Sequence, residues 1–339
     1  MSVRVAVLDD FQGVAERFGP WEELGDRIEL TVFRDHLEDE AELIERLSPF
    51  DVVVAMRERT PFDRGRLERL PRLRLLVTTA VANASFDLEA AADLGITVCG
   101  TEWTPTTTVE LTWGLILALT HRICEEDRAL RAGRWQSTVG LDLDGRCLAL
   151  LGLGRIGGRM AVLGHAFGME VIAWSSNLDR DRAECLGVEP VSREELFERA
   201  DVLSIHLKLR ERTRGLVGAA DLARMKETAF LVNTSRGPIV EERALLDALE
   251  NGRIAGAGLD VFWEEPLAPD HPILRAPSTV LTPHIGFVSD RSYGTYFGGV
   301  VEDVAAFLDG EPIRTLTPER PSLDMPPGAT YGDDPAVPR

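Results

Sequence analysis

Cysteine is scarce in this chain, aromatic residues make up only 6%, and lysine is almost missing. The four cysteines, Cys99, Cys124, Cys147 and Cys185, are far apart and form no C-x-x-C pair. That spacing argues against a disulfide framework and a structural zinc site, and it suits a reducing cytosol. No metal is expected. No apolar run reaches the ~18 residues of a membrane-spanning helix. The opening MSVRVAVLDD meets two aspartates before a signal-peptide core could develop. Positive charge is in deficit too: 37 Lys and Arg against 56 Asp and Glu leave a formal charge of -19. A surface that negative repels phosphate backbones and anionic lipids, so neither nucleic acid nor a membrane is expected as a partner. Lys208 and Lys226 are the two lysines, and the arginines that fill the other basic positions form no single cluster. These absences point to a soluble, cytoplasmic protein.

What is present is a length of 339 residues, enough for about two domains. Short β-branched runs alternate with amphipathic stretches. Strands are expected at Val3–Leu8, Ile28–Phe33, Val52–Ala55, Leu73–Thr78 and Ile96–Val98, with helices at Glu38–Leu47 and Asp87–Leu94. Gly95 stands where a glycine ends a helix. Thr106–Gly133 reads as one long helix with an apolar middle and a charged end. A second alternating series follows, with nearly all-apolar strands at Cys147–Leu151, Val171–Trp174, Val202–Ile205, Phe230–Val232, Ala255–Leu259 and Val280–Leu281. Such strands belong to parallel sheets covered on both faces. The last long helix, Asp290–Leu308, is expected to cross back to the first unit. The boundaries expected are therefore 1–103 plus 286–316 for one domain and 104–285 for an inserted one. A proline-rich tail over 317–339 reads as an extended arm or disorder.

The most informative segment is LALLGLGRIGGRMA, in which an apolar strand runs into Gly152-x-Gly154-x-x-Gly157 and then a helix. Gly152 permits the tight turn, Gly154 lets the backbone approach a pyrophosphate, and Gly157 allows close helix–strand packing. The diphosphate then lies over the free N–H groups at the helix start. NAD sites usually carry an acidic residue after the next strand to hold the ribose hydroxyls. Here the chain reads Trp174-Ser175-Ser176. Ser175 and Ser176 can bond a ribose without repelling a 2′-phosphate, and Arg180 and Arg182 follow closely. The choice between NAD and NADP stays open, with a lean to NAD.

Ligands in open parallel sheets bind outside the carboxyl ends of the strands. Arg236 (LVNTSRG), Asp260 with Glu264 and Glu265 (GAGLDVFWEEP), and His284 (LTPHIG) all follow strands directly. Arginine, a carboxylate and histidine suit hydride transfer between a ketone and an alcohol in a carboxylate substrate. An arginine fork binds the carboxylate bidentately, and histidine delivers the proton the oxygen needs. A carboxylate on the other ring nitrogen fixes the imidazole and favours its charged form. His206 (VLSIHLKL) also ends a strand and rivals His284; the remaining four histidines lie in helical or loop contexts.

From Leu148 to Gly286 these motifs, with HLKLRERTRGLVG and LVNTSRGPIVEE, resemble the D-isomer-specific 2-hydroxyacid dehydrogenase family, and the resemblance extends over about residues 50 to 312. It implies an α/β fold of two doubly wound parallel-sheet domains, a Rossmann-type dinucleotide-binding domain inserted in a flavodoxin-like substrate domain. It also implies Arg236 as carboxylate binder, Glu265 as the partner of the histidine and His284 as acid/base. By the same resemblance Thr108, Arg155, Ile156, Thr234, Asp260 and Gly286 contact the dinucleotide. Val81 and Ala82 match a loop whose backbone amides hold the substrate carboxylate, with Arg57 near the pocket. The chain departs from the family's habit at Ser175 (usually aspartate), Ala80 (often glycine) and Lys208 (often proline). Glu265, where formate-oxidising relatives have glutamine, points to keto-acid chemistry. A homodimer is implied, with the apolar helix from Thr106 as its contact, and there is no room for the regulatory domain of long phosphoglycerate dehydrogenases. The expected activity is reversible reduction of a small anionic 2-keto acid, glyoxylate- or hydroxypyruvate-like, to the D-2-hydroxy acid with NAD or NADP. A dinucleotide-sensing protein akin to C-terminal-binding-protein co-repressors and an amino-acid dehydrogenase are the alternatives.

Overall fold

The structure is a computed structural model that describes residues 2–323. The chain divides into two units, one running up to Thr104 and resuming at Val288, the other spanning Pro105–Phe287.

In the first unit, strands β1 (Val3–Val7), β2 (Ile28–Val32), β3 (Val52–Ala55), β4 (Leu75–Thr78) and β5 (Thr97–Gly100) form one parallel sheet in the order β2-β1-β3-β4-β5. This is the flavodoxin-like order, which reverses between β1 and β3. The middle strands β3 and β4 are buried along their whole length, as a sheet covered on both faces requires. Short helices start where aspartates cap them: Asp39, Asp63 and Asp87 each accept from backbone amides in the first turn. Gly95, at φ +70°, ends the Leu88–Asp93 helix with its amide on the Ala92 carbonyl. The Asp290–Leu308 helix packs on β4 and β5 through a buried face of Tyr293, Tyr296, Phe297, Val300, Val301 and Val304. That face explains why so distant a segment returns to this unit.

In the second unit the strands are β6 (Cys147–Leu151), β7 (Glu170–Trp174), β8 (Glu189–Pro190), β9 (Val202–Ile205), β10 (Phe230–Asn233), β11 (Gly256–Leu259) and β12 (Thr279–Leu281). All pair in parallel, in the order β12-β11-β10-β9-β6-β7-β8. The order reverses between β6 and β9, a Rossmann-type arrangement whose crevice lies at the carboxyl ends of those strands.

The expected long helix over Thr106–Gly133 is two helices. Thr106–Thr120 ends at His121, Arg122 takes a left-handed φ of +55°, and Ile123–Arg131 follows in a new direction. The break has a cause in hydrogen bonding: the Thr120 carbonyl accepts from the Leu141 amide at 2.8 Å, not from a later helical residue. The two pieces also have different surroundings. The first is buried nearly all round, with Leu115 and Leu119 packed over Gly258 of β11. Leu115 and Leu119 are thus engaged with the helix's own sheet, and Trp113 stacks on Phe167. Exposed apolar residues come later, at Ile123, Leu130, Trp135 and Val139.

The proline-rich tail lies outside the described residues from 324 onward. Up to Leu316 the chain is paired along β5, where Leu316 donates its amide to Val98 at 2.8 Å, and Leu323 donates to the Val81 carbonyl at 2.8 Å. Among the described residues no helix is long and apolar enough to cross a membrane, and no group of three or more His, Cys, Asp and Glu could hold a metal ion.

Candidate active site

The glycine turn at the end of β6 shows three different demands for a missing side chain. Gly152 has φ +106°, and a Cβ there would lie 2.5 Å from the His206 carbonyl oxygen. A Cβ on Gly157 would lie 2.1 Å from the Gly152 oxygen, so only glycine lets the helix approach the turn. Gly154 is the opposite: it is exposed, and a Cβ would meet nothing within 4 Å. It caps the Arg155–Ala166 helix without any side-chain cap, leaving amides of the first turn available. Two tight glycines and one open one over an uncapped helix start fit a dinucleotide pyrophosphate. Arg155 and Ile156 are half-buried at that start. Ser175 is half-buried and Ser176 exposed just beyond β7. Arg182, on the Arg180–Cys185 helix, donates Nη2 to the Gly154 carbonyl at 3.1 Å. A guanidinium therefore stands beside the turn.

At the ends of β10, β11 and β12 the second set of residues is organised by one buried carboxylate. Asp260 is fully buried and accepts from Thr282 Oγ1 at 2.6 Å, from the Ile285 amide at 2.8 Å and from the Gly286 amide at 2.7 Å. Burial raises its pKa, and these bonds together with the charge of His284 work against that rise. Gly286 has to be small, because a Cβ would sit 2.9 Å from Asp260 Oδ2. Its carbonyl accepts from Thr108 Oγ1 at 2.7 Å, which fastens the Thr106–Thr120 helix to the same loop. One turn on, Thr112 Oγ1 lies 2.8 Å from Thr234 Oγ1. The loop so held carries His284 in a left-handed conformation, φ +52°.

His284 Nδ1 lies 2.5 Å from Glu265 Oε2, and both side chains keep partial exposure, 25% and 34%. The other Glu265 oxygen accepts the Phe262 amide at 2.8 Å. Burial pushes the Glu265 carboxyl upward, but the bond and charge of His284, the Phe262 amide and the charge of Arg236 hold it below the ordinary carboxylate range. Arg236 is half-buried, with Nη1 on the Ser235 carbonyl at 2.8 Å. Its position depends on Gly237, where a Cβ would lie 2.1 Å from the Phe262 carbonyl. The missing side chain lets the Arg236 loop lie against the Glu265 loop. His206, the rival histidine, is placed differently. Burial pushes its imidazole down to about 3, and its Nε2 pairs with the Ser204 hydroxyl at 2.9 Å. Its hydroxyl partner is on Nε2, whereas the carboxylate partner of His284 is on Nδ1.

Sequence reasoning missed the supports. Trp263 Nε1 donates to the Val240 carbonyl at 2.7 Å and its ring stacks on His271, centroids 5.9 Å apart, which braces the Phe262–Glu265 loop. Asn233 bonds the Ser235 amide and the Arg236 carbonyl, each at 3.0 Å. A polar residue at a strand end was the available signal for Asn233; nothing local marks Trp263.

In the first unit Arg57 follows β3 with φ +55° and donates its amide to Thr79 Oγ1 at 3.1 Å. Asn83 Nδ2 bonds the Arg57 carbonyl at 2.6 Å and Thr78 Oγ1 at 3.0 Å, tying the Arg57 turn to the loop that bears Val81 and Ala82. Asp9, buried at φ +57° after β1, holds His36 Nδ1 at 2.8 Å and Thr60 Oγ1 at 2.7 Å.

Residues 113–286 match the family described as D-isomer specific 2-hydroxyacid dehydrogenase, NAD binding domain. The chain belongs to that family. A glyoxylate reductase of Korarchaeum cryptofilum is 38% identical over 293 residues, covering 84% of this chain and 88% of the relative. A glyoxylate reductase of Aeropyrum pernix is 42% identical over 255 residues, 72% of this chain and 76% of that one. Among solved structures, a phosphoglycerate oxidoreductase of Vibrio cholerae O395 superposes with a TM-score of 0.86 at 37% identity, covering 91% of this chain and all of its own (100%). As a D-2-hydroxyacid dehydrogenase family member, the chain is an oxidoreductase of the nicotinamide-dinucleotide class on two parallel-sheet α/β units.

Proposed function

We propose that the protein reduces a small 2-keto acid of the glyoxylate or hydroxypyruvate type to its D-2-hydroxy acid. The observation that carries this reading is the His284–Glu265 pair at 2.5 Å, beside Arg236 and on a loop anchored by Asp260. The dinucleotide supplies the hydride when bound. Gly152, Gly154 and Gly157 with Arg155 and Ile156 would hold its pyrophosphate, and Thr108, Thr234, Asp260 and Gly286 would be further dinucleotide contacts. Arg236 takes the substrate carboxylate through its fork. Within the first unit, Val81 and Ala82 are the backbone amides we assign to a substrate carboxylate, with the Arg57 turn tied to their loop through Asn83. His284, held through Nδ1, presents Nε2 to the carbonyl oxygen and delivers the proton as the carbon is reduced. Glu265, bonded to Nδ1, keeps the ring oriented for that transfer.

For the cofactor we favour NADPH over NADH. Ser175 and Ser176 present no carboxylate to a 2′-phosphate, and Arg182 brings a cation to the turn. The relatives named glyoxylate reductase support the substrate class. A homodimer accompanies this reading, with Ile123, Leu130, Trp135 and Val139 as contact residues; Trp135 and Val139 are 77% and 92% exposed. A screen of 2-keto acids against both reduced dinucleotides tests the proposal: glyoxylate or hydroxypyruvate should consume NADPH, and inertness with the whole panel would remove it.

A further inference from the structure

We propose that the segment from Arg314 to Leu323 is a strap that sets the direction of the Ala82 amide in the Val81–Ala82 loop and so tunes affinity for the substrate carboxylate. This rests on the reading that the Val81 and Ala82 amides hold that group. In a trans peptide the C=O and the next N–H point to opposite sides of one rigid plane. Whatever fixes a carbonyl therefore fixes the amide that follows it. The Ala80 carbonyl accepts from the Thr101 amide at 3.0 Å, which orients the Val81 N–H. The Val81 carbonyl accepts from the Leu323 amide at 2.8 Å, which orients the Ala82 N–H. One amide is thus directed by β5 and the other by the strap.

The strap is held along its whole course. Arg314 bonds Asp303 Oδ1 at 2.9 Å, Glu302 Oε2 at 2.7 Å and the Gly299 carbonyl at 2.8 Å, all on the Asp290–Leu308 helix. Its carbonyl accepts the Gly100 amide at 3.1 Å, and Thr315 makes an antiparallel bridge to Cys99 on the edge strand β5. Thr317 and Arg320 exchange backbone bonds of 3.0 Å in a tight turn that sends the chain on to Leu323. Gly100 permits the assembly: a Cβ there would lie 2.6 Å from the Ala80 oxygen, with Leu316 and Leu323 close around it. A segment needed only to cover the sheet edge could stop at Leu316. The continuation to Val81 places its last bond on the substrate loop.

Leu323→Pro deletes the donor N–H, and Leu323→Ala keeps it while trimming the side chain. A chain ending at Arg320 removes the same donor without introducing proline. Losing one directed amide on a charged carboxylate should raise KM for the keto acid about tenfold. kcat and the dinucleotide Kd should stay within twofold of the parent, and L323A should keep the parental KM. Amide hydrogen exchange in peptides covering residues 79–86 should quicken in L323P and in the shortened chain but not in L323A. Equal KM and equal exchange in all four proteins would overturn the strap. If the parent protein reduces no 2-keto acid, the functional reading fails by itself, and the exchange comparison still decides whether the strap directs the loop.

Discussion

Nδ1 of His284 lies 2.5 Å from Oε2 of Glu265, and the second Glu265 oxygen is held by the Phe262 amide. The carboxylate is thus fixed at both ends, and the ring it holds has one nitrogen left for chemistry. Because Glu265 is held below the ordinary carboxylate range, its contribution is present above that range and is lost only as pH falls through the depressed value. The pair therefore stays intact through mildly acidic pH. Glu265→Gln removes the charge but keeps the shape. Its kcat for keto-acid reduction should fall roughly ten- to a hundredfold. Steady-state kinetics of the two proteins check this; an unchanged kcat would contradict the role given to Glu265.

Two glycines, one beside Arg236 and one in the turn after β6, give a paired test. A Cβ at Gly237 would meet the Phe262 carbonyl at 2.1 Å, whereas one at Gly154 would meet nothing within 4 Å. Gly237→Ala should cost roughly 1–3 kcal/mol of stability and separate the Arg236 and Glu265 loops. Gly154→Ala should leave the thermal midpoint unchanged and weaken dinucleotide binding. Thermal melts with and without NADPH distinguish the two.

Cofactor choice rests on two positions. Arg182→Ala should weaken NADPH roughly tenfold and NADH much less, as expected for loss of a charged hydrogen bond. Ser175→Asp should reverse the preference by repelling the 2′-phosphate. Titration calorimetry with both reduced dinucleotides reads this directly, and equal losses for both in R182A would sink the assignment.

Asp303 makes a pH prediction for stability. Burial raises its carboxyl to about 7 although Arg314 opposes the rise, and its Oδ2 has no hydrogen-bond partner among the described residues. The folded value lies above the ordinary 3.8, so the folded state keeps a proton that the unfolded chain releases. That stabilisation declines as pH rises from about 4 to about 7. Asp303→Asn should flatten this part of the curve. Denaturant midpoints at pH 5 and 8 for both proteins give the comparison.

The strands and the glycine turn were legible because each is a local pattern: an apolar run, a glycine spacing, a polar residue at a strand end. The reversal points of the two sheets follow from such patterns once they are assembled in order. The supports were not legible. Thr112 meets Thr234 across 122 positions and Thr108 meets Gly286 across 178, distances over which a single sequence carries no pairing signal. The break at Arg122 was hidden for a related reason. Its cause is the Leu141 amide taking the Thr120 carbonyl, while the intervening residues are good helix formers. The docking of residues 316–323 is likewise a tertiary effect that overrides a proline-rich composition.

The central claim is that His284 gives the proton in keto-acid reduction. His284→Gln, measured by single-turnover NADPH oxidation alongside the NADPH Kd, tests it most directly. The rate should be lower by about 10²–10⁴-fold, with the Kd within twofold of the parent. An unchanged rate, or a lost rate explained by lost dinucleotide binding, would contradict it.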